Sequence, residues 1–250
     1  MTRGKFIILE GGEGSGKTTV GERLKKEFPD AVYTQDPGGT PLGEHIRKLL
    51  MSDETKGIDV HAELLLFLAG RAQLVTEVIR PALESGKHVI SNRFGLSSIA
   101  YQVYGRQKPE LLEFFYYVSE HITRECAPDA CILLDVSPEV GVARVHSRPE
   151  EPTRFDKESL DFHACVREGL KKHVGEFGKP FIIDAEKPLE EVWTEGYLQE
   201  MAHFVACVRD GEQPALTGED GRAVLEIVCA AYESARTGRR VSLPFQTAAR

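Results

Sequence analysis

Nine residues at positions 11–19, GGEGSGKTT, have the types and spacing needed to hold a nucleoside triphosphate. They follow the apolar run Phe6-Ile7-Ile8-Leu9 and precede the helix-forming stretch VGERLKKEF. The pattern G-x-x-x-x-G-K-[ST] between a strand and a helix is a phosphate-cradling loop. Gly11, Gly12, Gly14 and Gly16 let backbone N–H groups turn toward phosphate oxygens. The helix that follows adds its positive N-terminal end. Lys17 can reach the β- and γ-phosphates, and the Thr18 hydroxyl suits Mg²⁺. Gly11, Gly12, Glu13, Gly14, Ser15, Gly16, Lys17, Thr18 and Thr19 are therefore the expected triphosphate site. The loop indicates ATP or GTP and leaves the acceptor open.

Other residues could supply an acceptor pocket. Phe67 and Arg71 are four apart in a helical pattern, so they share a face. Phe67 can stack on a flat base while Arg71 donates to a base carbonyl. A core Phe beside a surface Arg is the alternative. Pro37-Gly38-Gly39 forms a turn that lets backbone approach a small ligand. Arg93 stands at a strand end, where a guanidinium matches phosphate geometry bidentately. Gln102 can pair with a base edge.

Something must position these side chains. Short apolar runs recur at KFIILE, KHVIS, ACILLDV and PFIIDA and read as buried parallel strands. Helical patterns over 20–28, 62–84, 109–126, 138–147 and 159–177 alternate with them. The expected fold is an α/β doubly wound parallel sheet of the P-loop kinase type, flanked by helices. Ligands then sit beyond the carboxyl ends of the strands. The chain has 250 residues, enough for one substantial α/β core. Its net charge of -8 argues against general nucleic-acid binding. No apolar run is long enough to span a membrane, and positions 1–20 carry no signal-peptide pattern. Five cysteines without a CxxC pair read as reduced thiols in a cytoplasmic protein.

Four further stretches are similar to the bacterial-type thymidylate kinases: QDPGGTPLGEHIRKLL, AELLLFLAGRAQLV, VISNRFGLSSIAYQ and TRFDKESLDFHACVREG. With GGEGSGKTT they carry the resemblance over about residues 2–192. It implies Mg²⁺-dependent phosphoryl transfer from ATP to dTMP. It implies that Phe67 stacks on thymine and that Arg71 bonds its O4. Arg93 would hold the acceptor phosphate, and Glu13 the sugar hydroxyl. Pro37, Ser98, Tyr101 and Gln102 would contact thymidine, with Tyr101 against the deoxyribose. The loop at 11–19 contains no arginine, and relatives lacking one there supply it from a lid. Arg148 and Arg154 flank the lid-like segment Pro149-Glu150-Glu151-Pro152, and Arg154 aligns better. Arg144 and the 184–188 loop resemble an adenine-binding edge. A homodimer is the expected assembly.

The chain departs from the family at several positions. Asn92 precedes Arg93 where relatives have an Asp that helps position Mg²⁺. An amide can bond a metal-bound water but brings no charge. The expectation is a slower enzyme rather than a lost fold. Glu10, Glu13 or Asp36 could compensate. Gln35, Asp36 and Leu68 are lesser departures. Two rival readings remain at this point: a kinase for another pyrimidine or modified deoxynucleotide, and a nucleotide-binding module with weakened catalysis.

From about residue 195 the chain changes character and resembles the C-terminal end of the Gfo/Idh/MocA oxidoreductases. Two amphipathic helices are expected over 197–209 and 219–237, the second with the apolar stripe Val224, Ile227, Val228 and Ala231. No G-x-G-x-x-G fingerprint accompanies them, so neither NAD binding nor redox activity follows. The expected organisation is a kinase-like domain over 1–192 and a helical tail over 195–250.

Overall fold

The computed structural model describes residues 3–149 and 151–192. The expected tail helices lie outside the described residues. The apolar runs form strands because β-branched and aliphatic side chains suit a sheet buried on both faces. β1 (Phe6–Gly11), β2 (Val32–Gln35), β3 (Val89–Asn92), β4 (Ala130–Asp135) and β5 (Lys179–Asp184) build one parallel sheet in the order β2-β3-β1-β4-β5. From β1 the chain moves one way for β2 and β3, and the other way for β4 and β5. A crevice therefore opens beyond the carboxyl end of β1. The register sets Leu9 beside Asn92, Gln35 beside Asn92, and Gly11 beside Leu134. Loop, Asn92 and the Asp36 turn thus meet at one sheet edge.

The helices are α1 (Lys17–Glu27), α2 (Pro41–Met51), α3 (Val60–Leu74), α4 (Arg80–Glu84), α5 (Gly95–Ser98), α6 (Leu111–Thr123), α7 (Pro138–His146) and α8 (Leu160–His173). α3 and α4 correspond to the single pattern expected over 62–84, with a π-helical turn at Val75–Ile79 between them. Pro81 explains the widening, because proline has no N–H and its ring crowds the preceding turn. A second π-helical turn, Ile99–Gly105, carries Tyr101 and Gln102. β2, α2 and the one-turn α5 were absent from the sequence expectation. β2 is a four-residue edge strand of half-buried residues with no apolar run. α2 opens on Thr40, whose side chain accepts from the Gly43 N–H, followed by Pro41 at the first helical position. The larger core packs Phe6, Ile8, Leu64, Phe67, Leu68, Phe94 and Phe115 between sheet and helices. Leu68 is buried in that core, so its departure from the family affects packing.

Candidate active site

The loop between β1 and α1 bends because glycines occupy its left-handed positions, with φ 69° at Gly14 and 88° at Gly16. Lys17 opens α1 directly behind the loop. It is buried, because its side chain folds back over the loop. Its Nζ donates to Gly11 O at 3.0 Å, Gly12 O at 2.7 Å and Ser15 Oγ at 3.1 Å. Burial and the nearby Arg93 charge lower the ammonium to about 7. Thr18 and Thr19 stay exposed.

Arg93 follows β3 with φ 68°, a left-handed conformation unusual for a non-glycine residue. That conformation is held by four bonds. Nη1 donates to Gly11 O and Ser97 Oγ, both at 3.0 Å. Nη2 donates to Glu13 Oε1 at 2.9 Å and Tyr101 Oη at 3.0 Å. Tyr101 Oη also donates to Glu13 Oε1 at 2.8 Å. Burial would raise the Glu13 carboxyl, but the Arg93 and Lys17 charges and the Tyr101 hydroxyl hold it at about 2. Glu10 is fully buried and raised by that burial. Its carboxylate accepts from the Phe94 N–H at 2.8 Å and from Ser97 Oγ at 2.6 Å. Glu10 is thus committed to the turn after β3.

A cavity of about 500 Å³ runs from this loop to α3 and the π-helical turn at 99–105. Its far end is built by two polar side chains. Arg71 is 1% exposed; its Nε donates to Asp36 Oδ2 at 2.5 Å and its Nη2 to Ser98 Oγ at 2.7 Å. Gln102 Nε2 donates to Glu63 Oε1 at 2.9 Å. Among the described residues, Nη1 of Arg71 and Oε1 of Gln102 are buried without a partner. Both residues line the cavity beside Phe67. Buried polar atoms without partners are rare in native folds, and a ligand or a water would complete these two.

The sequence matches the family described as Thymidylate kinase over residues 9–195. The chain belongs to the thymidylate kinase family. A thymidylate kinase of Halothermothrix orenii is 43% identical over 201 residues, covering 78% of this chain and 95% of the relative. That of Haemophilus ducreyi is 43% identical over 195 residues, covering 76% and 90%. That of Hahella chejuensis is 39% identical over 197 residues, covering 77% and 93%. The family's reaction is ATP-dependent phosphorylation of dTMP to dTDP, and this chain is an enzyme of that class. A second match, described as Oxidoreductase family, C-terminal alpha/beta domain, spans residues 155–243. It overlaps the kinase match over 155–195. Within the described part of that overlap, α8 and β5 are built into the kinase fold, β5 pairing with β4 from Lys179 to Asp184.

The kinase cavity brings together most of the residues singled out from sequence. Glu13, Gly14, Gly16, Lys17, Thr18, Thr19, Pro37, Phe67, Arg71, Asn92, Arg93, Ser98, Tyr101 and Gln102 line it. Gly11, Gly12 and Ser15 lie behind them as backbone and hydroxyl partners of Lys17 and Arg93. Arg144 is outside; it donates to Ala185 O at 2.6 Å and Glu186 O at 3.2 Å, tying α7 to the loop after β5.

The structure places the two lid arginines differently. Arg154 is buried away from the cavity lining. Its Nε donates to Leu50 O, and its Nη2 lies 2.7 Å from Glu63 Oε2. A buried carboxylate outcompetes solvent for a nearby guanidinium, and the Phe155 ring 4.3 Å away adds to the pull. Arg148 is exposed and lines the cavity instead, with Glu151, Pro152 and Thr153.

Two residues at or beside the cavity had not been singled out from sequence. Arg47 lines the cavity from α2, its Nη1 donating to Pro37 O at 3.0 Å. Its helical signal was readable in TPLGEHIRKLL, which has a cap and a proline start. Glu63 is the buried carboxylate at which Gln102, Arg106 and Arg154 converge. Its sequence signal was only a charge in an otherwise apolar run, AELLLF.

Proposed function

We propose that this kinase transfers the γ-phosphoryl group of ATP to dTMP with Lys17, Arg93 and Arg148 around the transferred group. Phosphoryl transfer needs positioning and charge more than covalent chemistry from the protein. The backbone of the loop and Lys17 hold the triphosphate. Arg93, beside Arg47, holds the acceptor phosphate, and its four fixed bonds keep the guanidinium plane oriented. Glu13, ionised across the physiological range, takes the acceptor's sugar hydroxyl. Tyr101 stands against the deoxyribose. Arg148 comes from the lid, and Arg144 shapes the adenine edge through the loop after β5.

The observation that carries the choice of base is the unpartnered pair at the far end. Arg71 Nη1 is a donor and Gln102 Oε1 an acceptor. Thymine offers O4 as acceptor and N3–H as donor. Cytosine offers the reverse. A mismatched buried polar group costs about 1–3 kcal/mol. Competition between dTMP and dCMP in a coupled ADP-release assay tests this. At least about a tenfold preference for dTMP is expected. Equal use of dCMP would remove the assignment.

Mg²⁺ fits the residues present. This ion prefers phosphates, waters and one or two protein oxygens over a full protein cage. Thr18 is exposed at the loop, and Asn92 Oδ1 is buried without a partner. Thr18 would hold the ion and Asn92 a water on it. When bound, Mg²⁺ neutralises charge developing on the phosphates.

We also propose a homodimer and a cytoplasmic setting. Leu42 and Leu49 on α2, Leu65 on α3, and Phe114 and Tyr117 on α6 are exposed, and α3 packs against both α2 and α6. An apolar surface across adjacent helices favours self-association. Sedimentation should give twice the chain mass. Cys126, Cys131 and Cys165 are free thiols, as suits a reducing compartment. We assign residues 1–192 to the kinase domain and 195–250 to an appendage outside its chemistry.

A further inference from the structure

Glu63 stands in the first turn of α3 and is 1% exposed. Gln102 Nε2 donates to its Oε1 at 2.9 Å. Arg106 approaches both of its oxygens at 3.4 Å. Arg154 Nη2 lies 2.7 Å from its Oε2. Every neighbour is a donor, so Glu63 acts only as an acceptor. An amide has one donor end and one acceptor end. Only the donor end can face a carboxylate. The acceptor end of Gln102 must then turn the other way; it is left buried without a partner among the described residues, on a side chain that lines the cavity.

We infer that Glu63 is a positioning residue for base selection. It fixes the Gln102 amide so that an acceptor, never a donor, meets the substrate. Asp36 and Ser98 constrain Arg71 in the same way and leave one donor. Together the two residues present the complement of a 4-oxo pyrimidine with a proton on N3. They oppose a 4-amino pyrimidine with a bare N3. Without Glu63 the amide could rotate, and Gln102 would accept either edge. The inference rests on the cavity being the pyrimidine site.

The test replaces one acceptor by a group that can also donate. In Glu63→Gln the new amide can give a hydrogen bond to Gln102 Oε1 and allow the flipped state. Binding of dTMP and dCMP is measured by calorimetry, so the result does not depend on turnover. The dTMP-over-dCMP affinity ratio should fall at least about tenfold, the loss of one buried match. Affinity for ATP should stay within about twofold, because no Glu63 contact reaches the loop at 11–19. An unchanged ratio would overturn the inference. A merely structural role would weaken both nucleotides alike and leave the ratio where it was. In a Gln102→Leu background, Glu63→Gln should move the ratio no further, and a second fall of equal size would also overturn it. Should the single change unbalance the buried arginines and prevent folding, Glu63→Gln with Arg106→Met removes one charge of each sign and carries the same expectations. If the wild type itself shows no preference for dTMP, the pyrimidine reading fails; if the wild type prefers dTMP and the variant ratio is unmoved, only the role of Glu63 fails.

Discussion

The two ends of the cavity are wired differently. At the proposed phosphate end Lys17 and Arg93 are already satisfied within the protein: Lys17 by loop carbonyls and Ser15, Arg93 by Gly11, Ser97, Glu13 and Tyr101. At the base end Asp36 and Glu63 orient Arg71 and Gln102 but leave one atom of each without a partner. Phosphate binding must therefore exchange one set of partners for another. Base binding completes a set. Exchange depends on charge and pH. Completion depends on shape and hydrogen-bond direction.

The largest test of this contrast removes one cation from each end. Lys17→Ala should lower phosphoryl transfer by about a thousandfold, as loss of a preorganised charge contact does. Its unfolding midpoint should not fall, because a desolvated ammonium is lost with it. Transfer at the wild-type rate would exclude the loop mechanism. Arg71→Met should behave in the opposite sense toward stability. It strands the 1%-exposed Asp36 carboxylate, at a cost of about 3–5 kcal/mol. Denaturant unfolding reads this directly, and a midpoint equal to that of Lys17→Ala would erase the distinction between the ends.

Asn92→Asp sharpens the phosphate end. Glu10 and Asp36 cannot stand in for a missing carboxylate, since Glu10 is bonded to Phe94 and Ser97 and Asp36 to Arg71. A new carboxylate on β3 should raise the rate and lower the Mg²⁺ concentration at half-maximal rate by about tenfold, a typical outer-sphere effect. Identical Mg²⁺ titrations for the two proteins would show that Asn92 already does the work of the acid.

The smallest effect is a proton. Lys17 titrates at about 7 in the folded protein, below its ordinary 10.5. Between those values the unfolded chain holds a proton that the folded chain lacks, so stability rises with pH across that window. Glu13 works in the other direction along the scale. Its folded value of about 2 lies below 4.5, so its contribution is complete above pH 4.5 and is lost as pH falls toward 2. Triphosphate charge restores the Lys17 proton. Calorimetry of ATP binding at pH 8 in two buffers should show uptake of about one proton. Thymidine binding should show none. Equal proton uptake by both ligands would end the comparison.

Much of this was readable from residues, and the gaps have physical reasons. Long apolar runs named β1, β3, β4 and β5, because burial on both faces demands unbroken hydrophobicity. β2 escaped because an edge strand of four half-buried residues needs no such run. The loop at 11–19 was legible because phosphate geometry dictates residue types one by one. The Arg154–Glu63 pair was not legible, because spacing along the chain cannot say which of two arginines a buried carboxylate will capture. Glu63 stayed hidden for the same reason: its partners arrive from Gln102, Arg106 and Arg154, and only the fold assembles them.

Gly14 carries one more consequence. A Cβ there would collide with the Gly141 carbonyl of α7, and one on Gly141 would strike the Glu13 carbonyl. Loop and helix approach glycine to glycine, with no room for a side chain between them. An arginine at position 14 would meet the same carbonyl. No single substitution at position 14 can add a side chain there; α7 would first have to back away. On the reading proposed above, the arginine comes instead from beyond the end of α7, at Arg148, and two facing glycines limit where that charge can come from.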